Sequence, residues 1–248
     1  MTRKFLALTC LCLLSVGTLS ACAAARPAPS GQASPRSALG AGLVSESART
    51  LKELRAATRH QILDYALEDA RAVIVLPGVY QAGFYYSVHG GGGVLVTRTG
   101  DGNWGAPAFV GVGGAGFGLQ IGLEKQRLVL VVQEQEMLET ILASGLNFDV
   151  IAKYDVLGVR EEAGRGSLSE RRPVMAFSDG VGLMIGVAMR GAVLTLNEGL
   201  TQAYHGQDQG KARAVLQGSN APGIEVFELW DALSANLPKG LIERVRTP

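Results

Sequence analysis

The stretch GVGGAGFGLQIG, residues 111–122, decides the fold class of this 248-residue chain. Gly111, Gly113 and Gly116 match the GxGxxG pattern of dinucleotide-binding loops, in which a strand and a tight turn precede a helix. Up to Leu123, large apolar residues instead alternate with glycines and one glutamine, Gln120, which is the period of a strand. The pattern therefore predicts a glycine-faced strand rather than a nucleotide-binding loop.

A second copy of this strand pattern occurs later in the chain. GFGLQIGL at 116–123 and GVGLMIGV at 180–187 are identical at five of eight positions. Glycine is unfavourable in strands, and its repetition on one face indicates that another backbone, a helix or a ligand approaches closely. Two similar glycine-faced strands related by internal symmetry are one interpretation, and coincidence in a glycine-rich sequence is the other.

The rest of the chain predicts an α+β fold. Apolar residues recur at steps of three and four between Leu43 and Ala70, which indicates a long N-terminal amphipathic helix, continuous or interrupted. The strand-like runs are AVIVL, GFYYSV, GVLVTR, PAFVGV, FGLQIGL, RLVLVV, VIAKYDV, PVMAFS and LMIGVAM. Further helices are expected at 134–144, 197–204 and 223–237, and GGGG at 90–93 is interpreted as a mobile turn or bulge. This order predicts a glycine-rich, mainly antiparallel sheet or partial barrel with further packed helices.

Residues 1–21 have the features of a secretory signal peptide. Arg3 and Lys4 precede an apolar run that is too short for a comfortable membrane span. The run ends in LSAC, which resembles a lipoprotein lipobox with Cys22 as the acylated N-terminus, palmitate included. The alternative is an ordinary signal peptide with an incidental cysteine. All three cysteines lie within the first 22 residues, so thiol catalysis and cysteine metal sites are excluded from the mature domain.

The sequence after Cys22 predicts a flexible tether and a cellular location. Residues 22–42 are rich in Ala, Pro, Ser and Gly and are expected to form a lipidated, flexible tether before a domain at 43–248. Ala23 after the modified cysteine is typical of outer-membrane sorting in a Gram-negative host, with the domain facing the periplasm. Without Arg3 and Lys4 the chain has 21 basic against 22 acidic residues, and this near-neutral balance argues against nucleic acid as a partner.

No catalytic motif is found in the sequence. The three histidines lack metal-ligand spacing, GxSxG does not occur, and the GGGG run lacks the GK[ST] that a phosphate loop requires. We therefore predict no enzyme activity, no metal and no cofactor.

The charges of the N-terminal helix suggest a binding surface. Helical geometry places the basic residues on one flank of the apolar stripe, namely Arg49, Lys52, Arg55 and Arg59. The acidic residues Glu46, Glu53, Asp64 and Glu68 lie on the other flank. A basic flank beside an apolar stripe suits an anionic lipid surface. A helix packed on its own domain with solvated edges has the same pattern, so both interpretations stay open.

Several motifs together resemble the SYLF domain family in order and spacing. They are RAVIVLPGVYQAGFYYSVHGGGGVLVTR, NWGAPAFV, GLQIG, FSDGVGLMIGVAMRGAVL and YHG, and the match as a whole spans roughly residues 51–206. Eukaryotic members bind lipids, prefer phosphoinositides, use an amphipathic N-terminal helix and in some cases bind actin, whereas bacterial members are commonly exported lipoproteins. This chain departs from the family pattern at Gln81, where a lysine is frequent.

The resemblance implies a non-enzymatic, lipid-associated domain. The leading hypothesis is a lipid-anchored cell-envelope protein whose domain binds phospholipid or the membrane surface. The alternative is a structural or interaction lipoprotein of the outer membrane with a protein partner in the envelope.

Overall fold

The computed structural model describes residues 34–57, 62–83, 86–117, 122–151, 156–158, 172–179, 189, 191–206, 211–218 and 223–234. The helices are α1 (Pro35–Ala57), α2 (Ile62–Glu68), α3 (Gln135–Ser144), α4 (Phe148–Ile151), α5 (Glu198–His205), α6 (Ala212–Gln217) and α7 (Ile224–Leu233). The strands are β1 (Ala72–Gly83), β2 (Tyr86–Thr97), β3 (Ala108–Phe117), β4 (Gly122–Val132), β5 (Leu146–Asn147), β6 (Val156–Gly158), β7 (Val174–Ser178) and β8 (Ala192–Leu196).

The strands form one sheet in the order β5-β8-β3-β2-β1-β4-β7-β6. All neighbours pair antiparallel except β6 and β7, which are parallel. The predicted α+β class with a mainly antiparallel sheet is therefore confirmed. The three GxGxxG glycines lie inside β3, paired with β2 and β8 or β2 alone, and not in a loop that precedes a helix.

Two apolar cores cover the sheet, one on each side. Val73 and Val75 of β1 point to the core formed with α1, α2, α5 and α7, which we call the α1 side. Ile74 and Leu76 point to the opposite core, formed with α3, Phe148 and α6. Strands buried on both faces carry apolar residues at every position. This explains the uninterrupted runs AVIVL and RLVLVV.

A β-bulge interrupts β1 at its proline. The register of β1 against both neighbours shifts between Val75 and Gly78, or Leu76 and Val79, so that β1 has one extra residue around Pro77. Proline cannot donate a ladder hydrogen bond and is tolerated in a sheet interior at such a bulge. Gly93 lies opposite, and a Cβ atom there would be 2.1 Å from the Val75 carbonyl oxygen.

The glycine run at 90–93 was therefore only partly predicted correctly. A bulge is present, but it lies on the partner strand, and the four glycines are regular positions of β2. At Gly91 and Gly93 the glycine is needed because β1 approaches so closely that a side chain would meet its backbone.

Helix α1 begins earlier than the sequence pattern indicated. The prediction placed the start of the helix at Leu43 and assigned residues 35–42 to the tether. In the structure, α1 begins at Pro35. The Ser34 hydroxyl accepts a hydrogen bond from the Ser37 backbone N–H at 3.1 Å, so Ser34 is the N-cap and Pro35 the first helical residue. The small residues that suggested a tether instead allow close packing, because Gly40 lies directly against the ring of Tyr204.

Other local predictions have mixed outcomes. The helices expected at 134–144, 197–204 and 223–237 correspond to α3, α5 and α7. The strand expected in VIAKYDV is wrong at its start, since 148–151 is helical; β6 spans Val156–Gly158, and residues 152–155 lie outside the described residues. The second glycine-faced strand at 180–187 lies outside the described residues, as do parts of GFYYSV, FGLQIGL and LMIGVAM. Within the described part of the chain, no helix has the length and apolar character needed to cross a membrane.

Candidate functional site

The apolar stripe of α1 is buried against its own domain. Val44, Ala48, Leu51 and Leu54 are all in the core on the α1 side, and Ile62 of α2 continues the stripe. Burying one such aliphatic side chain contributes about 1.5–3 kcal/mol. The stripe therefore holds the helix on the sheet, and the charged flanks are what α1 presents to its surroundings.

The acidic flank of α1 is paired with β4. Glu46 lies 3.5 Å from the Lys125 Nζ atom, and the Glu53 carboxylate pairs with the Arg127 guanidinium. Arg127 also donates from its Nε atom to Asp179 at 2.7 Å. The hydrogen bond with Asp179, and to a lesser extent the pair with Glu53, raises the pKa of Arg127 above its already high value. This flank is thus complementary in charge to the sheet.

One residue of the basic flank of α1, Arg55, also forms an ion pair and hydrogen bonds within the domain. Arg55 pairs with Asp64 of α2 at 2.5 Å and donates to the Ala232 and Ser234 carbonyl oxygens at 2.6 and 3.1 Å. Only 16% of its side chain is exposed. Arg55 therefore ties α1 to α2 and to the end of α7, and these contacts give it a structural role.

Arg49 and Lys52 are the exposed members of the predicted basic set. The Arg49 side chain is 69% exposed, and its nearest carboxylates are Glu46 and Glu53 of its own helix at 3.7 and 4.0 Å. The Lys52 side chain is about half exposed and lies 3.2 Å from Asp231 of α7. The other two predicted site residues, Arg59 and Cys22, lie outside the described residues.

A charged cleft of about 250 Å³ lies between α1 and β4. It is lined by Glu46, Arg49, Thr50, Glu53, Pro77, Lys125, Arg127 and Asp179. Three of these side chains are cationic and three are carboxylates, so the cleft has no excess of either sign. The sequence prediction did not include Lys125, Arg127 or Asp179. The sequence feature that could have indicated them is that these charged residues lie directly beside the apolar runs of β4 and β7.

The two described histidines, His89 and His205, form hydrogen-bond contacts within the domain. His89 is buried on β2, where its Nε2 atom lies 3.2 Å from the Ser87 hydroxyl. The Nε2 atom of His205 lies 2.7 Å from the Pro107 carbonyl oxygen, and burial lowers the pKa of His205 more than this hydrogen bond raises it. Among the residues that the structure describes, no group of three or more His, Cys, Asp or Glu side chains could hold a metal ion.

The fold and this surface define a glycine-rich α+β domain whose N-terminal helix is held on the sheet by a buried stripe and flanking ion pairs. The model of the Ysc84 family, described as "Las17-binding protein actin regulator", matches residues 113–236, which is half of the chain. The chain belongs to this family, which carries the SYLF domain. The matched residues include the second part of β3, all of β4 and α7, whereas α1 precedes them.

Curated relatives extend the similarity toward the N-terminus. The chain is 28% identical over 183 residues to SH3 domain-containing YSC84-like protein 1 of Xenopus laevis, covering 72% of this chain and 54% of that protein. It is 30% identical over 175 residues to SH3 domain-containing protein PJ696.02 of Schizosaccharomyces pombe, with coverage of 69% and 40%. It is 28% identical over 173 residues to LAS seventeen-binding protein 3 of Saccharomyces cerevisiae, with coverage of 68% and 37%.

These relatives are longer than the chain. The chain spans about half of the Xenopus laevis protein and smaller shares of the two yeast proteins. No solved structure matches the chain.

Proposed function

We propose that the protein is a lipid-anchored protein of the cell envelope whose SYLF domain binds phospholipid at the membrane surface and performs no catalysis. Cys22 is the proposed anchor, and the domain faces the periplasm from the outer membrane. The observation that carries the proposal is the outward position of Arg49 and Lys52 on a helix whose apolar stripe is already buried.

The docked helix would meet the membrane through its cations rather than by inserting its apolar stripe. The Arg49 guanidinium has only long contacts, at 3.7 and 4.0 Å, to carboxylates on its own helix. Exposed pairs of this kind contribute between about 0 and 1 kcal/mol, so lipid phosphates can replace them at little cost. Arginine suits this role because its planar donors match phosphate oxygens in pairs. Arg55 is not part of the proposed contact, since its donors are engaged inside the domain.

A pair of charge-matched double variants tests this proposal. In the unit that comprises residues 33–248, Arg49→Gln/Lys52→Gln removes the two exposed cations of the predicted basic flank. Lys211→Gln/Arg213→Gln removes two exposed cations at α6, and Arg213 is about as exposed as Lys52 and is also ion-paired. Binding is measured by sedimentation with vesicles of phosphatidylglycerol and phosphatidylcholine in equal parts.

The α1 variant should bind these vesicles less tightly than the parent and the control. Each basic residue near an anionic surface contributes about 1 kcal/mol, so the loss of two corresponds to roughly thirtyfold weaker binding. The difference should shrink as salt is added. Equal weakening in both variants would mean that only net charge matters, and unchanged binding of the α1 variant would remove this helix from the site.

The names of the relatives support a second candidate function. The family model is described as Las17-binding, and one relative is called LAS seventeen-binding protein 3, so family members are named for a protein partner. By this hypothesis the domain is a structural or interaction module that recognises another envelope protein. Crosslinking in native membranes that recovers one stoichiometric partner, together with purified protein that retains no lipid, would favour it over lipid binding.

A further inference from the structure

On the α1 side, part of the sheet is not covered by any of the described helices. Five residues form this surface, which we call the open face: Tyr80, Ala82, Val88, Ala115 and Leu123. Ala82 pairs with Val88 and with Leu123, and Val88 pairs with Ala115, so four of them form one row across β4, β1, β2 and β3. All five are exposed, and Val88 and Leu123 are 63% and 75% exposed.

Glycines extend the open face, because they carry no side chain that would cover the sheet there. Gly90 pairs with Tyr80 and with Gly113, which places both glycines in the row next to Val88. Within the described part of the chain, a side chain at Gly90 or Gly113 would have no atom within 4 Å of its Cβ. The surface is therefore flat and apolar, and no described side chain projects over these glycines. Contiguous apolar surfaces of this kind mark sites of interaction.

The polarity of these strands is the inverse of that of a water-facing sheet. Along β1, Tyr80 and Ala82 point outward, whereas Gln81 between them is buried. Along β2, Val88 points outward between buried Ser87 and His89. A strand with one solvated face normally has polar residues outside and apolar residues inside. The opposite alternation, apolar outside and polar inside, is typical of strands whose outer face contacts lipid.

The N-terminal end of α1 connects the open face with the proposed anchor. Leu39 is 63% exposed and lies on the same side of the helix as Leu43, which contacts the sheet at Gly92. Twelve residues lie between Cys22 and Pro35, and a chain of that length spans at most roughly 45 Å. An anchor at Cys22 would therefore keep this apolar end of the domain close to the bilayer.

Cations border the open face on the side of α1. The Lys125 Nζ atom lies 5.6 Å from the centre of the Tyr80 ring, and Lys125 lines the charged cleft together with Arg49. Tyrosine and lysine are favoured at the level of lipid headgroups, where an apolar body and a polar tip are both accommodated. Through Lys125, the open face is thus continuous with the charged cleft that Arg49 lines.

We propose that the open face is the surface by which the anchored domain lies on the bilayer, with its aliphatic side chains at the boundary between headgroups and acyl chains. This inference rests on the proposed anchoring and lipid binding and adds the face and orientation of the contact. A protein partner or a second copy of the chain on this face would contradict it.

The distribution of cysteines allows a direct test with the full chain. All natural cysteines lie within the first 22 residues, so a cysteine introduced later is the single free thiol of the processed lipoprotein. Val88→Cys places it on the open face. Ile224→Cys is the matched control, because Ile224 is also aliphatic and is 79% exposed, but lies at the start of α7. Both are labelled with a polarity-sensitive fluorophore and reconstituted in vesicles of phosphatidylethanolamine and phosphatidylglycerol.

The expected result is a blue-shifted label at Val88→Cys that lipid-borne spin labels quench and aqueous iodide does not. The label at Ile224→Cys should respond only to iodide. Leu123→Cys on a neighbouring strand should repeat the result of Val88→Cys. Thermal unfolding followed by circular dichroism establishes that the labelled variants retain the fold.

The other outcomes separate the inference from the proposed function. If the protein floats with the vesicles but the Val88 label stays as accessible to iodide as the Ile224 label, anchoring stands and the open face is not the contact. If the Val88 label is shielded from iodide without lipid-borne quenching, and shielding increases with protein density, a second copy covers the face and the inference is overturned. If the protein does not float, the proposed anchoring fails and the inference fails with it.

Discussion

The two ends of β1 follow opposite rules of polarity. Before the bulge, Val73 and Val75 on the α1 side and Ile74 on the other are all fully buried. After the bulge, Tyr80 is exposed on the α1 side, whereas Gln81 is buried on the other. The first end is stabilised by apolar contacts on both faces, and the second has a bare apolar face above a buried polar one.

One extra residue produces this difference. Side chains alternate with a period of two, so an added residue moves every later side chain to the opposite face. Before Pro77 the odd-numbered residues of β1 face α1, and after it the even-numbered ones do. Without the bulge, Gln81 would face α1 and Tyr80 the opposite side. The comparison teaches that a single bulge can decide which residues a domain presents.

The largest effect is expected where the two ends meet, at Gly93. A Cβ atom in Gly93→Ala would lie 2.1 Å from the Val75 carbonyl oxygen, so β1 and β2 would have to separate. We expect the free energy of unfolding to fall by about 3 kcal/mol or more. Gly113→Ala on the open half should change it by less than about 0.5 kcal/mol, since its Cβ has space among the described residues. Urea unfolding of both variants checks this, and equal stability would contradict the close approach at the bulge.

A smaller effect should separate two valines of the same strand. Val94 and Val88 both lie on β2 and face the α1 side, but Val94 is fully buried and Val88 is mostly exposed. Val94→Ala removes buried methyl groups and leaves a cavity, which should lower the free energy of unfolding by about 2 kcal/mol. Val88→Ala should change it by less than about 0.5 kcal/mol. A comparable loss at Val88 in the chain without membranes would show that the open face is covered within the domain.

The smallest expected effect is a pH dependence in the helix-covered half. Burial lowers the pKa of His205, so the folded protein keeps the imidazole neutral where the unfolded chain already takes up a proton. The free energy of unfolding should therefore fall as pH decreases from about 6.5 toward the lower folded-state pKa, and should not depend on His205 above that window. Thermal melts of the parent and His205→Gln across this range measure the difference. Identical pH profiles would mean that this pKa is not lowered.

Local patterns were sufficient to predict much of the secondary structure. The three-and-four spacing indicated the N-terminal helix, the helices expected at 134–144, 197–204 and 223–237 correspond to α3, α5 and α7, and the runs AVIVL and RLVLVV indicated strands β1 and β4. The start of α1 was missed because its first turns consist of small residues, which without tertiary contacts are typical of a tether. Their role becomes apparent only when Gly40 lies against Tyr204.

The candidate site was predicted as a set of charged residues on α1, and this prediction named only some of the residues that form it. Helical geometry alone placed Arg49, Lys52 and Arg55 on one flank. It could not indicate that Arg55 donates to carbonyl oxygens at the end of α7, nor that β4 provides Arg127 for the acidic flank. These partners are distant in the chain, and no local pattern connects them.

By itself the sequence determined the α+β class, the apolar strand runs of β1 and β4 and the spacing of charges along the N-terminal helix, because these depend on spacings of a few residues. It also determined that introduced cysteines would be unique after residue 22. Only the tertiary structure decided that the helix stripe is buried, which cations remain outward, and that the bulge at Pro77 turns Tyr80 and Ala82 toward the surface. The physical reason is that burial and strand register are set by contacts between distant segments, whereas periodicity is a property of neighbours.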